Sequence, residues 1–151
     1  MVADPSVTAV VENWYRALQN VDLEAFAAVH APDCVYNVSG HTPISGRCDF
    51  QQLTTEVLPQ VFSRLDLTQF KIGLNPKIMC SDGSRVVGLM EADGLGTNGV
   101  RYDQRYCHIF EVRDGLVHEV WEFFDTELAA SVLFYDPENS PTAGKLTRFE
   151  Y

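Results

Sequence analysis

Apolar residues recur at two different periods along this chain. Val7, Val10, Val11, Trp14, Leu18 and Val21 return at steps of three and four, one stripe that predicts a helix over roughly residues 5–20. Asp4-Pro5 ahead of it reads as an N-cap followed by proline at the first helical position. Asp22 caps a short second helix carrying Leu23, Phe26 and Ala27, which Pro32 ends. Cys34 to Val38 reads as a short strand, and Ser39 to Gly46, with two Gly and one Pro, as a loop. Asp49 caps a third helix with Phe50, Leu53, Val57, Val61, Phe62 and Leu65 on one face, and Pro59 predicts a kink or break in it.

From about residue 69 the period becomes two. Asp82-Gly83, Asn98-Gly99 and Asp114-Gly115 are hairpin signals between alternating runs. They predict four consecutive antiparallel strands, about 69–81, 84–97, 100–112 and 116–126, then a short helix near 127–134 and a tail. Helices followed by a meander form an α+β plan in which the helices cover one sheet face.

Turn length fixes register, and register fixes faces. Two-residue turns at Asp82-Gly83 and Asn98-Gly99, with a three-residue loop Arg113-Asp114-Gly115, give a core face. It carries Phe70, Ile72, Leu74, Ile78 and Cys80, then Val87, Leu89, Glu91, Asp93 and Leu95. Tyr102, Gln104, Tyr106, His108, Phe110 and Val112 follow, then Leu116, His118, Val120, Glu122 and Phe124. A two-residue third turn would flip the last strand.

That face has a polar island: Glu91, Tyr106 and Glu122 in one row, with Asp93, Gln104 and His108 beside it. Burying carboxylates is costly unless they are paired, protonated or wet. Two readings stay open, a structural polar cluster and a functional pocket with tuned acids. The opposite face mixes charges with Met90, Cys107, Ile109, Val117, Trp121 and Phe123. Exposed apolar clusters suggest a partner surface, most simply a homodimer; the C-terminal tail is the alternative cover.

The 151 residues fit one domain, with a core over about 5–135 and a tail over 136–151. A net charge of −10 disfavours nucleic acid and anionic membranes as partners. No apolar run is long enough to span a bilayer, and the acidic start does not read as an export signal, so a cytoplasmic location with reduced Cys34, Cys48, Cys80 and Cys107 is expected. His30, His41, His108 and His118 lack metal-ligand spacing, so neither metal nor cofactor is expected. Gly94 to Gly99 satisfies GxGxxG but precedes a strand, and reads as a turn.

Trp14-Tyr15-Arg16-Ala17-Leu18, Asp22 to Phe26, Pro32 to Tyr36, His41 to Arg47, Phe110 to Val117 and Trp121 to Thr126 together resemble the SnoaL-like, ketosteroid-isomerase-related branch of the nuclear-transport-factor-2-like superfamily. The likeness covers most of the chain. It implies a cone: a cystatin-like curved antiparallel sheet wrapped around N-terminal helices, with a deep apolar pocket, in a homodimer formed through the outer face at Met90, Ile109, Trp121 and Phe123. The fold hosts isomerases, dehydratases, cyclases, epoxide hydrolases and non-catalytic modules. Against limonene-epoxide-hydrolase-like members, Glu122 and Glu91 fall at the catalytic carboxylates, Leu89 replaces the Arg between them, and Tyr36 and Val38 fall at the water-positioning Tyr and Asn. Against ketosteroid isomerase, Tyr15 lies near the oxyanion Tyr, His108 replaces its assisting acid, and Val38 takes the base position.

The resulting expectation is a cofactor-independent proton-transfer isomerase or hydrolase for a small apolar carbonyl or epoxide compound. Glu91 or Glu122 serves as base, and His108 or Tyr106 donates to developing negative charge. Trp14, Tyr15, Leu18, Tyr36, Val38, Phe62, Leu65, Asp93, Gln104 and Phe124 bind substrate. Two alternatives stand beside it: a non-catalytic binder of a small hydrophobic ligand, and a dimeric interaction module with a vestigial pocket.

Overall fold

The computed structural model describes residues 5–151, so the Asp4 cap lies outside the described residues. Helix α1 spans Pro5–Gln19 and α2 spans Leu23–Ala28. The Asp22 carboxylate caps α2 by accepting from the Ala25 amide at 2.9 Å. Strand β1 runs His30–Val38, longer than the sequence pattern indicates, with Pro32 inside it at an irregularity between His30 and Val35. Strand β2 is Gly46–Asp49.

The third helix, α3, occupies residues 50–62. Asp49 and Gln52 form a capping box at its start. Pro59 does not end it, and the expected irregularity lies just before the proline. Leu53–Val57 form a π-helical turn directly before the α-helical Leu58–Phe62, and the wider turn accommodates a ring that would otherwise press on the carbonyl four residues back.

Strands β3 (Lys71–Ser81), β4 (Arg85–Asp93), β5 (Arg105–Arg113) and β6 (Leu116–Phe124) complete a six-stranded sheet in the order β2-β1-β6-β5-β4-β3. It is an α+β architecture with an unclosed sheet. β1 lies parallel to β6, and every other neighbouring pair is antiparallel. Helix α1 crosses the inner face against β3, β4, β5 and β6. Gly88 permits this approach, because a Cβ there would collide with the Tyr15 hydroxyl.

Two turns differ from the expected geometry. The Asn98-Gly99 hairpin is a three-residue loop, Thr97-Asn98-Gly99: Gly96 N–H donates to Val100 O at 2.8 Å, and Gly99 takes φ +79°. The added loop residue shifts β4 by one against β5. Met90 therefore pairs with Tyr106, and Glu91 with Arg105. Val86, Met90 and Ala92 are buried, while Val87, Leu89, Glu91 and Asp93 turn outward. In β3, Gly73 (φ +70°) and Asn75 (φ +49°) sit at register shifts that keep Ile72 and Ile78 against the core and leave Cys80 exposed.

The last hairpin is a two-residue turn, Asp114-Gly115, with φ +51° and +75°. It does not flip β6. A bulge between Glu111 and Val112 absorbs one more residue of β6 and restores the inner set. Its net effect is that Glu122 opposes His108 rather than Tyr106.

Helix α4 (Thr126–Val132), capped by Asp125, leads into the tail. The tail bridges Arg47 at Thr147, and the Trp121 indole N–H donates to Glu150 O at 2.8 Å. Phe149 meets Phe123 edge-on. Of the residues expected to form an outer partner surface, Met90 and Val117 are instead inside, and Trp121 and Phe123 lie against the tail.

Candidate functional site

A cavity of about 120 Å³ opens between the sheet, α1, the α1–α2 turn and α3. An apolar shell encloses it: Leu18, Phe26, Val38, Leu53, Val57, Phe62, Met90 and Phe124 are among its walls. Val21 and Leu23 line it while largely exposed, so they form an apolar rim. Val21 holds φ +52°, a strained conformation for a β-branched residue, at that rim. Two carboxylates, Asp22 and Glu122, are in the lining. Asp22 already caps α2.

Glu122 projects from β6 on the inner face. His108, on the neighbouring strand and fully buried, places Nε2 at 2.9 Å from Glu122 Oε2. A carboxylate only accepts, so Nε2–H is the donor. His108 Nδ1 lies 3.4 Å from the Tyr15 hydroxyl. Burial pushes the Tyr15 hydroxyl well above its ordinary pKa, with Cys107 and Glu122 adding to the rise, so it stays protonated. A chain of groups thus runs from α1 through His108 to a carboxylate at the cavity wall.

Tyr106 also lines the cavity, with its ring stacked on His108 (centroids 5.7 Å apart, planes at 6°). Its hydroxyl is 3.2 Å from that of Tyr102. Gln104 adjoins this pair. Its Oε1 accepts from the Asp125 and Arg105 amides at 2.9 and 3.0 Å, which settles the orientation of the side-chain amide. Nε2 then donates to Asp125 O at 2.8 Å and points at Tyr102 Oη at 3.5 Å. Either hydroxyl can donate in the Tyr102–Tyr106 pair, and when Tyr102 does, the Tyr106 O–H is available to the cavity. Burial raises both tyrosine pKa values, so both hydroxyls keep their protons.

The third polar group is Tyr36. Its hydroxyl meets His30 Nε2 at 2.5 Å and Trp14 Nε1 at 3.1 Å. His30 is buried, and burial lowers its pKa to about 4 against the opposing pull of the Phe26 carbonyl. Its Nδ1 lies 2.6 Å from Phe26 O.

The structure therefore gathers Trp14, Leu18, Tyr36, Val38, Phe62, Tyr106, Glu122 and Phe124 around one cavity. His108 and Tyr15 stand directly behind them. Four expected site residues lie elsewhere. Glu91 is on the outer face, accepting from Asn75 Nδ2 at 3.0 Å and paired with Arg105 at 3.8 Å, because the loop residue turned β4 over. Asp93 follows it outward and pairs with Arg101 at 3.0 Å. Gln104 is a buried clamp between β5 and the end of β6. Leu65 is core, bridged to Gly96.

Sequence reasoning passed over His30, which the α2–β1 connection tucks under Phe26 and Phe50. No side-chain pattern signals it, because its anchoring partner is the Phe26 backbone carbonyl. It also put Met90 outside, and gave Tyr102 no part at the site. Among the described residues no group of three or more His, Cys, Asp or Glu side chains is placed to hold a metal, and no helix is long and apolar enough to cross a membrane. Burial holds the Cys34 and Cys48 thiols near pKa 12, unreactive at neutral pH.

Comparison with known proteins agrees with this geometry. The profile of the SnoaL-like domain matches residues 11–120. No curated protein sequence matches the chain significantly. Among solved structures, an NTF2-like protein of unknown function from Burkholderia pseudomallei superposes with a TM-score of 0.72 at 18% identity, covering 86% of this chain and 98% of that one. A candidate polyketide cyclase from Xanthomonas campestris gives 0.67 at 17% identity, covering 85% and 96%. A candidate isomerase from Bacillus subtilis gives 0.67 at 15% identity, covering 84% and 91%.

Proposed function

The chain belongs to the SnoaL-like domain family, and from that premise we propose that it is a cofactor-independent enzyme moving a proton on a small apolar carbonyl compound. The observation that carries this reading is Glu122, a carboxylate at the wall of an otherwise apolar cavity, held at 2.9 Å by a buried histidine. Glu122 takes a proton from the carbon next to the carbonyl. The Tyr106 O–H donates to the oxygen as it gains charge, in a site where little water screens it. His108 holds the carboxylate in place and disperses its charge as Glu122 gains and returns the proton.

Epoxide opening by two carboxylates is not supported, since Glu91 lies outside. The candidate isomerase and polyketide cyclase among the structural neighbours fit enolate chemistry. The competing reading, a carrier of a small ligand, draws on the mainly apolar lining and predicts binding without turnover.

The test is deuterium incorporation at the α-carbon of a panel of small cyclic ketones in D₂O, followed by NMR. The expected result is exchange well above buffer for at least one ketone, slowed on the order of 10²-fold or more by Glu122→Gln and less than about twofold by Glu91→Gln. No acceleration over buffer with any ketone, or a Glu122→Gln variant as fast as the parent, overturns the reading.

A further inference from the structure

We infer that Tyr36 serves the cavity as a fixed hydrogen-bond acceptor, so that the ligand carries a hydroxyl or equivalent donor in addition to its carbonyl. This deepens the proton-transfer reading by naming the substrate class, and rests on it for the carbonyl alone.

Phe26 O is a carbonyl and can only accept, so the proton between it and His30 sits on Nδ1. His30 is buried beside Trp14, Phe26, Tyr36 and Phe50, with no carboxylate among its hydrogen-bond partners. The depressed pKa agrees with the neutral ring this arrangement implies. A neutral ring with its proton on Nδ1 offers a lone pair at Nε2. The Tyr36 hydroxyl, 2.5 Å away, is the closer donor to that lone pair; Trp14 Nε1 is at 3.2 Å. The Tyr36 proton is therefore committed to His30. Trp14 Nε1–H only donates, and at 3.1 Å it fills one acceptor position on Tyr36 Oη.

What Tyr36 has left for a ligand in the cavity it lines is acceptor capacity. Tyr106 differs, because its hydroxyl partner Tyr102 can donate in its place. Among the groups lining the cavity, Tyr106 can therefore donate, while Tyr36 accepts and Glu122 is the base. A hydroxy-ketone meets Tyr106 with its carbonyl and Tyr36 with its hydroxyl, and leaves the carbon next to the carbonyl to Glu122. A simple ketone leaves Tyr36 facing it with a lone pair and no partner, an unfavourable match for two acceptors.

The test uses equilibrium binding, so it is independent of turnover. Phenol and toluene have the same shape and differ in one donor, and both suit a cavity of this size. Affinities are measured by ligand-observed NMR titration of the parent, Tyr36→Phe and His30→Leu. Tyr36→Phe leaves Trp14 Nε1–H a partner in His30 Nε2 at 3.2 Å, so the fold has a way to close.

The parent is expected to prefer phenol over toluene by about 3–10-fold, and Tyr36→Phe to lose most of that preference. His30→Leu releases the Tyr36 proton. It is expected to lower the phenol preference and raise that for cyclohexanone over methylcyclohexane. A phenol preference unchanged in both variants overturns the inference, because the acceptor is then elsewhere. Absence of binding by both aromatic probes to the parent also overturns it. A phenol preference that depends on Tyr36, in a protein that exchanges no ketone protons, leaves the acceptor assignment standing and removes only the catalytic reading.

Discussion

Two glutamates on one sheet show how much of a carboxylate's chemistry belongs to its surroundings. Glu122 faces inward from β6, with 20% of its side chain exposed and its partner a fully buried histidine. Glu91 faces outward from β4, 41% exposed, between the Asn75 amide and the exposed end of Arg105. Water and a nearby cation screen the outer charge, and such surface pairs contribute little. The inner charge has few dipoles to answer it, so each one matters: the His108 N–H, and the tyrosines whose hydroxyl pKa values it helps to raise. One face solvates a carboxylate, and the other leaves it to a few fixed dipoles.

The largest test of that division acts on the register that creates it. Deleting Leu95, which pairs with Arg101 between β4 and the loop, leaves the Thr97-Asn98-Gly99 loop and its Gly99 unchanged. Local preference would then draw β4 over by one, carrying Glu91 and Asp93 inward and Met90 and Ala92 out. Lost apolar burial is about 1.5–3 kcal/mol for Met90 alone, and an unpaired buried carboxylate costs several more. The expected outcome is an unfolded chain by circular dichroism. A folded deletion variant with the parent's Tm would show that the loop does not set the register.

Second in size is the kinetic contrast between Glu122→Gln and Glu91→Gln. A factor of 10² in exchange rate corresponds to about 2.7 kcal/mol of barrier, assigned to the inner residue alone. Equal losses in both variants would dissolve the distinction between the faces.

The same two hairpins explain what was legible in the sequence. Period and turn residues were enough for the helices, the meander and the inward residues of β5 and of β6 from Val120 onward. They placed Trp14, Leu18, Tyr106 and Glu122 together, because those assignments depend on parity within one strand or on an error that cancels, whereas Tyr36 entered through the family resemblance. The turn and the bulge of the β5–β6 hairpin each moved register by one, and the two restored the face. In the β4–β5 hairpin nothing compensated. Asn-Gly is compatible with both two- and three-residue loops, which differ only in whether Thr97 joins the ladder, and that choice is made by packing far from the turn. His30 was illegible for a different reason: its role comes from a contact to the carbonyl of Phe26, and a backbone acceptor leaves no mark in composition.

The third prediction concerns pH and also separates the faces. His30 is held near pKa 4 by burial, below its unfolded value of about 6.5. Its neutral form is favoured by the fold, so its contribution is intact above pH 6.5 and is lost as pH falls through 4. Across that window the loss is on the order of 3 kcal/mol. The outer carboxylates Asp66, Asp82 and Asp93, depressed by hydrogen bonds and Arg101, withdraw their contributions only at lower pH. Urea denaturation at pH 7 and pH 4.5 should therefore show a decline that is largely absent in His30→Leu. An equal decline in both proteins would assign it to other groups.

The smallest effect lies where the tail meets the outer face. Phe149 packs edge-on against Phe123 with centroids 5.8 Å apart, and Glu150 O accepts from the Trp121 indole. An aromatic pair of this kind contributes about 0.5–1.5 kcal/mol beyond the area it covers. The Glu150 carbonyl belongs to the backbone and survives a side-chain change, so Phe149→Ala loosens the strap without deleting its hydrogen bond. The two tryptophans report the result separately. Trp14 is 2% exposed beside the cavity and Trp121 is 7% exposed under the tail. Acrylamide should quench an added fraction of the emission in Phe149→Ala, from Trp121 alone, while ketone exchange keeps the parent's rate. An exchange rate that falls together with Trp121 protection would mean that the outer face is coupled to the cavity through β6. The contrast between Glu91 and Glu122 would then be one of local solvation only, within a sheet that acts as a single mechanical unit.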